Sequence, residues 1–238
     1  MKRVAVLCLL ALAAPVAALG GSPRITVLAA SSLTNAFPAI DSAQRYSFAG
    51  SDQLAFQIEQ GAQADVFAAA SPKYPDALYA KKLVYKPVVF ATNRLVVIVP
   101  RSNPAHIGSV YDLKRHGVRV VLGAAGVPIG DYTRKVLAKL GLTAVLKNVV
   151  SNEPDVRGIV AEIALGEADA GFVYVTDTSS AHGKVKTVSI PAKGQPTVKY
   201  EIAVVRSTRH LAAAQGFVRE VLSRSGREKL RLFGFGLP

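Results

Sequence analysis

Hydrophobic positions along this chain switch repeatedly between short unbroken apolar runs and stripes spaced three and four residues apart. Ile25 to Ala29 reads as a buried strand, and Ser31 or Ser32 predicts the cap of a helix running towards Ile40. A strand near Tyr46–Phe48 leads to Ser51 and a helix with Leu54, Ile58 and Ala62 on its apolar face. Asp65 to Ala69 is the next strand, and Ser71 followed by Pro72 predicts another helix start, with proline in its first turn. Strands and helices alternating in this way imply a parallel sheet with crossover helices.

The stretch NRLVVIVP, Asn93 to Pro100, predicts a long strand that carries the chain into a second region. There Val118–Leu122 reads as a strand, and Tyr132, Val136, Leu137 and Leu140 stripe a helix ended by Gly141. Val156, Ile159, Val160 and Ile163 stripe another, ended by Gly166, before a strand at Phe172–Val175. VKYEIAVV, Val198–Val205, predicts a long returning strand, and a C-terminal helix is expected from about Leu211 to Leu232. Two long strands bracketing a central block predict two lobes joined by two hinge crossings, and no internal repeat of fixed period interrupts the scheme.

Three strand-to-helix junctions share a design: AASSLT at 29–34, FAGSDQLAFQI at 48–58 and GVPIGDY at 126–132. Each sets small or hydroxyl residues where helix N–H groups lack partners and the helix dipole is positive, a combination that favours an anion. GEADAGFVYVTD at 166–177 adds a helix end, a buried strand and a phenol, Tyr174, near the strand's far end. Several such junctions in one chain predict convergence on a single oxyanion.

The remaining composition narrows the class. Half of the 238 residues are apolar, enough to bury a sizeable core. Lys2 and Arg3 precede an apolar run from Val4 to Leu12, then Pro15 and small residues, which predicts a signal peptide over 1–20 cleaved between Ala18 and Gly21. An N-terminal membrane anchor is the other reading of that run, although it is short for a span. The single cysteine, Cys8, falls inside it, so the mature chain forms no disulfide and no thiolate metal site. The formal charge is +13, falling to about +11 without Lys2 and Arg3. These basic residues are scattered and lack interleaved aromatics, which argues against nucleic acid and for a solvated face or the steering of small anions. His106, His116, His182 and His210 show no metal-ligand spacing, and no Gly-x-Ser-x-Gly elbow is present, which argues against an enzyme.

AASSLTNAF, SFAGSDQLAFQIEQGAQADVFAAAS, NRLVVIVP, GVPIGDYTRKVLAKLG, EPDVRGIVAEIALGEADAGFVYVTD and the terminal FGFGLP resemble, in order, the periplasmic molybdate-binding proteins of ABC importers. The resemblance runs from about Arg24 to the C-terminus. It implies an α/β, type II periplasmic-binding fold with a mainly parallel sheet flanked by helices in each lobe. Lobe 1 would comprise 21–92 and 203–238, and lobe 2 would comprise 93–202. It further implies a monomer, exported to the periplasm or the outer side of the envelope, that captures molybdate or tungstate and delivers it to a permease. No cofactor is implied, and no metal site beyond the oxyanion itself. Sulfate or phosphate is the alternative ligand, and a secreted enzyme on the same fold a more distant one.

By the same resemblance the oxyanion is held by the hydroxyls of Ser32, Ser51 and Tyr174 and by the backbone N–H groups of Ile129 and Val156. Each residue also has a purely structural reading. The serines could be helix caps, Ile129 an apolar turn residue, Val156 a core side chain, and Tyr174 a phenol bonded to backbone. Asp155 and Asp177 read as cap or hinge residues rather than ligands. The chain departs from the family pattern in three places: a shorter segment before Tyr46, Asp52 in place of a small or hydroxyl residue, and Ile129 in place of alanine.

Overall fold

The computed structural model describes residues 23–238; the expected leader over 1–20 and its cleavage point lie outside the described residues. From Val27 onward strand β1 (Thr26–Ala30) is buried, as an apolar run without alternation must be when both faces of its sheet are covered. It lies parallel to β2 (Arg45–Ala49) on one side and to β3 (Val66–Ala69) on the other. The remaining strands are β4 (Val88–Asn93), β5 (Leu95–Pro100), β6 (Val120–Gly123) and β7 (Val149–Glu153), then β8 (Ala170–Tyr174), β9 (Val185–Val188) and β10 (Val198–Val204). They form two five-stranded sheets, ordered β2-β1-β3-β10-β4 and β7-β6-β8-β5-β9. The two sheets repeat one plan. Three neighbouring strands run parallel, the fourth position is reversed (β10 in one sheet, β5 in the other), and the fifth pairs antiparallel to that.

The helices are α1 (Ala36–Ile40), α2 (Ser51–Glu59), α3 (Lys73–Ala80), α4 (Pro128–Lys139), α5 (Val156–Leu165), α6 (Leu211–Leu222) and α7 (Arg224–Leu232). On one face of the first sheet Phe37 gathers the rings of Tyr46, Phe90 and Phe217 at centroid distances of 5.6–6.3 Å. On the other, Leu28, Leu54, Phe67 and Leu78 form a second cluster beneath α2 and α3. In the second lobe, Ile159 and Ile163 of α5 are fully buried, and the helix ends at Gly166 with φ +76°, where a left-handed backbone favours glycine. Fully burying side chains of this size contributes about 1.5–3 kcal/mol each, which is why the apolar stripes predicted α4 and α5 so closely.

Several expectations need correction. NRLVVIVP is not one strand: the ladder breaks at Arg94, leaving β4 in the first sheet and β5 in the second. The return crossing also precedes the expected boundary at 202/203, because all of β10 pairs with β3 and β4 in the first sheet. Both crossings are clamped together. Gln195 accepts from Leu95 N at 3.1 Å and donates to Leu95 O at 2.8 Å. Neither Ser31 nor Ser32 caps a helix; they begin a 3-10 turn over Ser31–Leu33, and α1 starts later at Ala36 without a side-chain cap. Ser51 is the first residue inside α2 rather than its cap, and Ala62 falls beyond that helix, which stops at Glu59. The C-terminal helix is two helices, because the Ser223 hydroxyl accepts from Gly226 N and starts α7 afresh. β7 and β9, the two edge strands of the second sheet, each with two exposed positions, carry too weak an apolar signal to be predicted.

Candidate functional site

Three helix N-termini and the ends of β1, β2 and β8 meet between the sheets around one cavity. Its walls include Ser31, Ser32, Gly50, Ser51 and Ala70 from the first lobe and Val127, Pro128, Ile129, Asp155, Val156 and Tyr174 from the second. The five residues singled out from the sequence, Ser32, Ser51, Ile129, Val156 and Tyr174, are thus neighbours in space. At about 10 Å³ the cavity is near the room one water requires, so it is small enough to exclude sugars and peptides.

Ile129 follows Pro128 in the first turn of α4, and Val156 is the first residue of α5. N–H groups there have no acceptor within their own helix, and neither receives one from the described backbone. α4 can approach because residue 130 is glycine: a Cβ there would collide with the carbonyls of Gly123 and Ala124 at the end of β6. Asp155 is the one charged residue in the wall, and its carboxylate is turned away to cap α5, accepting from Arg157 N at 2.7 Å. The cap reading of Asp155 therefore holds. No lysine or arginine lines the cavity.

Hydrogen-bond polarity decides what the hydroxyls can offer. Ala70 N donates to Ser51 Oγ at 3.1 Å, so the Ser51 proton stays free. Asn93 Oδ1 accepts from Arg94 N at 2.9 Å, which fixes the amide and aims Nδ2 at Thr176 Oγ1 (3.0 Å) and, in a longer bond, at the Tyr200 phenol oxygen (3.4 Å). An amide N–H only donates, so the Tyr200 phenol accepts from Asn93; it shares a second hydrogen bond with Ser32 Oγ, 2.9 Å away, in which either oxygen can be the donor. When Tyr200 is the donor, Ser32 keeps a free proton as well. The Tyr174 hydroxyl is buried with no partner among the described residues, its ring held edge-on to Tyr200 with centroids 5.8 Å apart. A buried hydroxyl without a partner costs about 1–3 kcal/mol, a cost that an acceptor in the cavity would remove. Burial also keeps both phenols protonated, raising them well above the usual tyrosine range. Tyr200, Asn93 and Ala70 were not legible as site residues: Tyr200 lies in an apolar strand and reads as core.

The family model for bacterial extracellular solute-binding proteins matches residues 25–236. This chain belongs to that family. It is a solute carrier rather than an enzyme. The solute-binding protein is 38% identical to the molybdate-binding protein ModA of Mycobacterium tuberculosis, with 92% of this chain and 86% of the relative aligned. The corresponding protein of Haemophilus influenzae is 32% identical over 90% of each chain. Among solved structures, the substrate-binding domain of a putative molybdenum ABC transporter from Clostridium difficile is similar at 30% identity and TM-score 0.65, covering 90% of this chain and 99% of that one. The periplasmic molybdate-binding protein of Azotobacter vinelandii shares the fold with TM-score 0.80, covering 90% of this chain and all of the other at 22% identity.

Behind Tyr174 lies Asp177, which accepts from Tyr174 N at 3.0 Å and sits at the start of a 3-10 turn over Val175–Ala181. Burial pushes its carboxyl up to about 8, aided by the charge of Asp155 and opposed by the bond from Tyr174 N. An unfolded aspartate titrates near about 4, so between roughly pH 4 and 8 the folded solute-binding protein holds the extra proton. This group therefore supports stability most below about pH 4, and its contribution is lost as pH rises towards 8.

Two outcomes follow from this geometry. Asp177→Asn keeps an acceptor for Tyr174 N and should flatten the fall in melting temperature between about pH 4 and 8; a profile identical to wild type would assign that slope to other groups. Tyr200→Phe keeps the ring packing but leaves Ser32 Oγ without its phenol partner. It should weaken capture of an acceptor-only solute about tenfold by calorimetry with little change in unliganded stability, and unchanged affinity would remove Tyr200 from the site.

Proposed function

We propose that this protein captures molybdate or tungstate between its lobes outside the cytoplasm and delivers it to the permease of an ABC importer. The lobes divide near Arg94 and Gln195, and the leader over 1–20 directs export. The protein acts as a monomer. Ser32, Ser51 and Tyr174 donate their hydroxyl protons to the oxyanion, and Ile129 and Val156 donate backbone N–H groups. The observation that carries this reading is the buried Tyr174 hydroxyl, without a partner among the described residues, in the wall of a cavity that the first turns of α4 and α5 also line.

The physical chemistry favours a fully deprotonated tetrahedral dianion. Five charge-assisted hydrogen bonds of roughly 1.5–3 kcal/mol each would contribute on the order of 8–15 kcal/mol before desolvation and closure are subtracted. Sub-micromolar affinity, beyond about −8 kcal/mol, is within that range. A protonated oxyanion such as hydrogen phosphate would bring a donor that finds no acceptor, and sulfate is smaller than a cage sized for molybdate would require. The relatives and the similar solved domain whose names specify molybdate or molybdenum support the same choice. The basic exterior steers anions to the cleft but does not hold them there.

Calorimetric titration of the mature protein with molybdate, tungstate, sulfate and phosphate tests the reading. Sub-micromolar binding of the first two is expected, with the others at least about a hundredfold weaker, a difference of about 2.7 kcal/mol. Equal affinity for sulfate or phosphate would contradict it.

A further inference from the structure

One charged group beside the cavity has no counterpart. Asp52 is the second residue of α2, directly after Ser51, and its Oδ1 is buried without a hydrogen-bond partner. Across the cleft is the carbonyl of Pro154, which joins β7 to α5 in the other lobe and receives no hydrogen bond from the described residues. Both oxygens crowd the same point. A Cβ built on Gly50 would lie 2.5 Å from Pro154 O and 2.6 Å from Asp52 Oδ1. Two acceptors from opposite lobes thus face a common space with no donor between them. The nearest lysine in sequence, Lys73, is committed to Asp131 of the second lobe at 3.1 Å, and the Tyr74 hydroxyl donates to Gly126 O.

We infer that Asp52 opposes closure of the cleft and sets how fast the captured anion is released. With the lobes apart, water can solvate the carboxylate, and its position in the first turn of α2 is favourable to the helix dipole. With the lobes together, Oδ1 loses that water and gains nothing. The cost falls on the closed state alone, so Asp52 shifts the population towards the open one and lowers apparent affinity. A carrier that must surrender its cargo benefits from such a residue, because release rather than encounter is what most affinity changes alter.

The inference rests on the molybdate or tungstate reading, and its test separates the two. Asp52→Asn replaces an oxygen with a donor that Pro154 O can accept; Asp52→Ser removes the charge and shortens the side chain. Both should bind molybdate about tenfold more tightly than wild type, with the change in the dissociation rate. Small-angle scattering of the unliganded variants should show a more compact average than wild type. Dissociation rates and affinities within twofold of wild type in both variants, or weaker binding, would overturn the inference while leaving the molybdate reading intact. Failure of the wild-type protein to bind either oxyanion would overturn both.

Discussion

On the proposed reading, a cage that grips its guest with hydrogen-bond donors governs how this molecule is built. Hydroxyl groups are ambivalent, and each must be made one-sided by a second protein group. Ala70 N does this for Ser51, and Tyr200, which accepts from Asn93, does it for Ser32 whenever it donates the proton they share. Backbone N–H groups in a first helical turn are one-sided by nature. The strands therefore end where helices begin, and both sheets aim those junctions at the same point. Countercharge is absent from the wall although the chain carries a formal net charge of +13. Long-range charge affects encounter, and directed neutral dipoles affect grip.

Closure depends on the same point. The ion pair between Lys73 and Asp131 spans the lobes, but the side chains are 57% and 32% exposed, and such pairs contribute about 0–1 kcal/mol. That is small beside several hydrogen bonds to a dianion, so the guest rather than the surface latch dominates the closed state. The polar chain Ser32–Tyr200–Asn93–Thr176 ties the first lobe's serine through the outgoing crossing to the turn that follows Tyr174. Gln195 fastens the two crossings side by side.

What the sequence made legible were features with local causes. Apolar stripes marked α4 and α5, Gly166 marked a helix end, and hydroxyl-rich junctions marked Ser32 and Ser51. The phenol of Tyr174 stood out at the end of its strand, whereas Ile129 and Val156 came through the family resemblance, since an apolar residue offering only its N–H leaves no trace in composition. The missed features have non-local causes. Nothing in NRLVVIVP says that Arg94 interrupts the ladder, because which sheet receives β5 depends on β8 and β9. Tyr200 reads as a core aromatic, and its role appears only when Ser32 and Asn93 arrive from distant parts of the chain. Serine as a cap was the natural local reading; Tyr200 and Ala70 engage those hydroxyls instead.

The most direct test is a crystal structure of the protein grown with tungstate, located by its anomalous scattering. The account predicts one strong peak between the lobes. Ser32 Oγ, Ser51 Oγ, the Tyr174 phenol oxygen, Ile129 N and Val156 N should each lie about 2.7–3.2 Å from a ligand oxygen, with no lysine or arginine in contact. A peak elsewhere, or a tungstate held by a basic side chain while Tyr174 stays unpartnered, would contradict the donor cage.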